Sequence, residues 1–84
     1  MKYCMITFRS VMPAQRGEAV LRRAGLECAI QRTPRWMEEQ GCGYCIRLRA
    51  PDAAAAAEIL RRQEIAFRKL YLLREGGKVE QLHL

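Results

Sequence analysis

Residues 2–8 alternate, with Cys4, Ile6 and Phe8 on one side and Tyr3, Met5 and Thr7 on the other. A period of two predicts a strand with its apolar set turned inward. Beyond it, Pro13, Ala14, Gly17, Val20, Leu21 and Ala24 share one stripe at helical spacing, which predicts an amphipathic helix. Ser10 offers a side-chain oxygen to its first N–H groups, Pro13 falls where a missing N–H costs little, and Gly25 ends it. Gly17 inside the apolar stripe predicts a close approach to a sheet. Residues 26–32 alternate again, with Leu26, Cys28 and Ile30 on the apolar side. Thr33 and Pro34 read as an N-cap and a first helical residue, opening a short turn over 36–40 that Gly41 stops. Residues 44–49 form a third strand, with Tyr44, Ile46 and Leu48 opposed to Cys45, Arg47 and Arg49.

Pro51 and Asp52 open a second helix whose alanine run is a strong helix former. Residues 65–73 predict a fourth strand with an irregular register, because Ile65 and Phe67 alternate oppositely to Leu70 and Leu72. Gly76 and Gly77 mark a turn, and residues 79–84 either fold back as a short fifth strand or form a tail. The order βαββαβ predicts one α+β domain over residues 1–84, with its core in about 2–73. Right-handed crossovers make this a ferredoxin-like sandwich: two helices on one face of a four-stranded antiparallel sheet in the order 4-1-3-2. That connectivity brings the end of strand one, the start of the first helix and the loop before strand three to one end. Cys42 is thereby expected near Arg9, Ser10, Thr33 and Arg35.

With 84 residues and a formal charge of +6, the chain suits a small globular domain with a basic surface. No apolar run is long enough for a membrane helix, and the first apolar stretch is too short for a signal-peptide core. A cytoplasmic location is expected, with reduced thiols. The arginines are spread along the chain, as on a solvated surface. The open sheet face offers Tyr3, Met5, Cys45, Arg47, Arg49 and, where the strand register permits, Arg68. A nucleic-acid partner is not expected, because Tyr3 is the single aromatic assigned to that face and base stacking needs more. An apolar face studded with arginine suits self-association into a homo-oligomer.

The candidate chemistry lies in QGCGYCIRLR, residues 40–49, which holds Cys42 and Cys45 between glycines and a strand. Free N–H groups at a helix start favour an anion. Arg9 and Arg35 add positive charge, and Gly41 and Gly43 remove side-chain bulk around Cys42. A thiol placed there is expected to be exposed and more acidic than the free value of about 8.5. The C-x-x-C spacing leaves other readings open. Cys42 and Cys45 can act as a reversible redox pair if the loop bends, although strand alternation points them apart. A zinc site would need about four ligands, and no second ligand pair is evident. Cys4 and Cys28 are expected to be buried, and His83 to be a surface residue.

Ile6-Thr-Phe-Arg-Ser10, Leu21 with Ala24-Gly25, Thr33-Pro-Arg35 and Cys42-Gly43 entering an apolar strand together resemble the selenium/sulfur carrier protein-like family, a group of small bacterial domains. The resemblance spans residues 3 to about 73. It implies that Cys42 is the carrier thiol, that Gly43 is its following glycine, and that Thr33, Pro34 and Arg35 frame it, with Ser10 as the helix-capping serine. It further implies sulfur or selenium held covalently on Cys42, with no other cofactor, and transfer from a donor such as a cysteine desulfurase to an acceptor enzyme. Such a chain would be a carrier without turnover of its own. Trp36 stands where the family often has glutamate. Cys45 stands where a small or aliphatic residue is usual, which makes it a candidate resolving thiol. A non-catalytic interaction module that uses the open sheet face is the alternative.

Overall fold

The computed structural model describes residues 2–34, 43–74 and 79–82. Strand β1 (Tyr3–Phe8), helix α1 (Val11–Arg23), strand β2 (Cys28–Arg32), strand β3 (Tyr44–Arg49), helix α2 (Ala53–Arg62), strand β4 (Leu70–Leu73) and strand β5 (Val79–Leu82) follow in that order. All four strand pairings are antiparallel. The sheet runs β2-β3-β1-β4-β5, so the expectation of four strands is corrected to five. The fifth forms because Val79–Leu82 pairs with β4, and it lengthens the expected order at the β4 edge.

Alternation along β1 and β3 divides the apolar residues between two faces. Cys4, Ile6 and Phe8, with Ile46 and Leu48, join Ala14 and Leu21 of α1 and Ala56 and Leu60 of α2 in the main core. Both helices therefore lie on one face. Gly17 shows how closely α1 approaches. A Cβ built there would stand 3.1 Å from Ile46 Cδ1, 3.2 Å from Leu60 Cδ2 and 3.3 Å from Phe8 Cζ. On α2 the small residues Ala53, Ala56 and Ala57 are buried in its packed surface.

Local chemistry departs from expectation at several points. Ser10 holds the N-cap position in extended backbone, yet its hydroxyl makes no capping bond. The second helix is preceded by a 3-10 turn over Ala50–Asp52. Strand β4 begins at Leu70, not at residue 65. The cause is Thr7. Its N–H bonds Lys69 O at 2.8 Å and its carbonyl accepts from Arg68 N–H at 2.7 Å. Its hydroxyl also accepts from Lys69 N–H at 3.0 Å. A side chain inserted beside the ladder keeps residues 68–69 on β1 but takes them out of regular strand geometry. Arg68 is therefore off the open strand face. It lines a groove of about 350 Å³ with Arg61, Phe67 and Lys69.

The β2 edge is closed from above. Ile30 N–H donates to Glu18 Oε2 at 2.8 Å, and Cys28 O accepts from Arg22 Nη2 at 3.1 Å and Nε at 3.3 Å. Side chains of α1 thus occupy outward-facing strand groups that could otherwise pair with another chain.

Candidate functional site

Pairing places the predicted site elements at one end. Phe8 opposes Tyr44 in the β1–β3 pair, and Arg32 opposes Tyr44 in the β2–β3 pair. Arg9 and Ser10 follow Phe8, and Thr33 follows Arg32. Thr33 N–H donates to Gly43 O at 3.0 Å, which joins the end of β2 to the residue just before β3. Thr33, Pro34, Gly43, Arg9 and Ser10 thus gather where connectivity put them. Cys42, Gly41 and Arg35 lie outside the described residues, as do His83 and the turn expected over 36–40.

Thr33 does not serve as expected. Its residue is 8% exposed and its Oγ1 is buried with no hydrogen-bond partner. The neighbour that matters is Cys45, on the face away from the helices. Thr33 and Gln31 side chains stand where they would stabilise a Cys45 thiolate, as does the Arg47 charge, but burial outweighs them and pushes the Cys45 thiol up. The Thr33 hydroxyl is buried and unpartnered in the structure. A buried hydroxyl in that state costs on the order of 1–3 kcal/mol.

Cys45 is 0% exposed and, with Met5, forms a small cluster against which Tyr71 and Leu73 pack. The reading that put Cys45 on the face beside Arg47 located its side of the sheet but missed its burial. Cys4 is also 0% exposed. Burial, then the Asp52 charge, pushes its thiol up to about 12. Cys28, expected to be buried, is only half-buried. Its thiol is raised chiefly by burial, with Glu18 adding to the rise and Arg22 opposing it. All three are free thiols held towards the protonated form. A protonated thiol is a poor nucleophile and a poor metal ligand. Among the described residues no three His, Cys, Asp or Glu side chains group as a metal site, and no described helix is long and apolar enough to cross a membrane.

A family model described as putative Se/S carrier protein-like matches residues 3–72. The chain belongs to this family. No curated protein and no solved structure matches it. The matched span includes β1, both helices, the residues that gather around Gly43, and most of β4.

Proposed function

We propose that this family member carries sulfur or selenium on Cys42, on a ferredoxin-like scaffold lengthened by β5. The observation that carries the reading is the state of the other thiols. Cys4, Cys28 and Cys45 are each raised in pKa by burial, which leaves Cys42 as the thiol suited to nucleophilic work. The family match supplies the cargo class.

In the proposed reaction the Cys42 thiolate attacks the terminal sulfur of a donor persulfide, such as that of a cysteine desulfurase. A new S–S bond forms and the donor cysteine leaves as a thiolate. An acceptor enzyme then takes the terminal sulfur as an electrophile, and Cys42 leaves as the thiolate it began as. Electrons balance in each transfer, and the chain itself is not consumed. Selenium follows the same course through a selenosulfide. The setting proposed is the bacterial cytoplasm, where thiols stay reduced.

Intact-mass spectrometry after incubation with a cysteine desulfurase and cysteine tests the reading. A gain of one sulfur, removed by dithiothreitol and absent in Cys42→Ser, is expected. The same gain in Cys42→Ser would move the cargo to another thiol, and no gain in the wild type would favour the interaction-module alternative.

A further inference from the structure

The open face of the sheet differs from what the sequence suggested in one decisive respect. Because β4 starts at Leu70, Tyr71 pairs with Met5 and Leu73 pairs with Tyr3. Tyr71 therefore shares the open face with Tyr3, on the neighbouring strand and two positions along. Such diagonal neighbours lie about 7–8 Å apart. Both tyrosines are half-buried, so each keeps part of its surface exposed to solvent. On β3, beside Tyr3, stand the exposed Arg47 and Arg49, and the Arg47 guanidinium lies over the Tyr3 ring, 4.8 Å from its centre.

Charge on this face has one sign. Among the described residues, the only strand carboxylate is Glu80, which pairs with Leu72 on the helix side and bonds Arg74 at 2.8 Å. The other described acids lie on the helices and connections: Glu18, Glu27, Asp52, Glu58 and Glu64. A second copy stacked on the face would bring two more arginines to it with no described strand carboxylate to pair them. Like charges brought together in that way are repulsive. A polyanion with planar groups has the opposite match.

We propose that the exposed Tyr3 end of this sheet face binds single-stranded nucleic acid, stacking bases on Tyr71 and on the Arg47 guanidinium that lies over Tyr3, and pairing phosphates with Arg49. Single strands fit because their bases are free to lie on aromatic rings, whereas a duplex keeps its base faces stacked internally. Met5 and Cys45 are buried, at 2% and 0% exposed, so contact falls to the half-buried tyrosines and the exposed arginines at the Tyr3 end of the face. This assignment does not depend on Cys42.

Fluorescence anisotropy with labelled oligouridylate of about 10 nucleotides, on the whole chain between 50 and 200 mM KCl, provides the test. Base stacking is worth roughly 1–3 kcal/mol per base, so Tyr71→Ala and Arg47→Ala should each weaken binding by about tenfold, while Tyr71→Phe keeps it. Arg49→Ala should lower the salt slope by about 0.7. Cys42→Ser should bind as the wild type does, so failure of the carrier reading and failure of this one are separable. An oligothymidylate of equal length identifies whether RNA or DNA binds more tightly, and saturable binding of either supports the face. The proposal is overturned by no saturable binding at 50 mM KCl, by folded Arg47→Ala and Tyr71→Ala proteins that bind unchanged, by preference for duplex, or by a protein dimer that Tyr71→Ala dissociates.

Discussion

The two halves of the fold solve the same problem with different residues. In β1–α1–β2 the helix ends with Gly25 N–H on Arg22 O and Leu26 N–H on Leu21 O, each at 3.0 Å. In β3–α2–β4 it ends with Glu64 N–H on Arg61 O at 3.0 Å and Ile65 N–H on Leu60 O at 2.9 Å. Both are Schellman ends, which need a left-handed residue just past the helix. The first half uses Gly25 at φ 90°, and the second uses Glu64 at φ 57°. The first half brings its helix to the sheet with one glycine, and the second does so with alanines. The first helix clamps a sheet edge with its Glu18 and Arg22, whereas Glu58 and Arg62 of the second, an i,i+4 pair of the same spacing, bond each other in solvent. Equal backbone geometry thus rests on unequal side-chain chemistry, and substitutions should separate the halves.

The largest effect lies with the first half's deepest thiol. Burial raises the Cys4 thiol from its ordinary value of 9.0 to about 12 in the folded chain. The folded chain therefore keeps its proton after the unfolded chain has released it. The associated stability is whole below about pH 9 and is lost as pH rises towards 12, at roughly 1.4 kcal/mol per pH unit. Urea titrations across that range should show a shallower alkaline decline in Cys4→Ala than in the wild type. Parallel declines would mean that Cys4 ionises freely in the folded chain.

Next comes the helix–sheet contact. Gly17→Leu adds a side chain where a Cβ alone already meets Ile46, Leu60 and Phe8 within 3.3 Å. Overpacking of that kind costs about 3 kcal/mol. Ala54→Leu, on an exposed position of α2, should cost under about 0.5 kcal/mol. Chemical denaturation of both variants measures the contrast, and a tolerated Gly17→Leu would show that α1 can move away from the sheet.

The same unevenness decides what could be read from the sequence. The strands β1 and β3 and both helices were legible because their periodicity is local, and Gly25 announced its helix end. Glu64 was not legible, since a glutamate carries no left-handed signal. The late start of β4 was hidden too, because it depends on Thr7 bonding a residue 62 positions away. That one displacement also concealed Tyr71 on the open face. At the site, convergence of Thr33, Gly43 and Arg9 followed from connectivity alone. The burial of Cys45 did not, because alternation assigns a face and says nothing of what packs on it. The idle hydroxyls of Ser10 and Thr33 show that a capping residue type does not guarantee a capping bond.

The helix ends offer a smaller test. Gly25→Ala puts a Cβ at φ 90° and should cost about 1–2 kcal/mol. Glu64→Gly relieves the same strain and should stabilise by up to about 1 kcal/mol. Thermal unfolding of the two variants should move in opposite directions. A destabilised Glu64→Gly would mean that the Glu64 side chain contributes more than its backbone costs.

The smallest effect separates two ion pairs of identical spacing. Glu58 and Arg62 meet at 2.6 Å with side chains 61% and 74% exposed. Such an i,i+4 pair is worth about 0.3–0.5 kcal/mol and is screened by salt. Glu18 and Arg22 are farther apart, at 3.6 Å, and by distance alone would matter less. Glu18 instead accepts the Ile30 N–H at 2.8 Å and Arg22 donates to Cys28 O. Its value therefore lies in closing the β2 edge, and a hydrogen bond to a charged group contributes about 1.5–3 kcal/mol. Water can replace part of it at an edge, so Glu18→Ala should cost about 1 kcal/mol and Glu58→Ala under about 0.5. Raising the salt concentration should erase the Glu58 effect and leave most of the Glu18 effect. Amide hydrogen exchange at Ile30 gives the local readout, with faster exchange expected in Glu18→Ala alone. Equal, salt-sensitive losses from both variants would reduce the edge clamp to an ordinary surface pair.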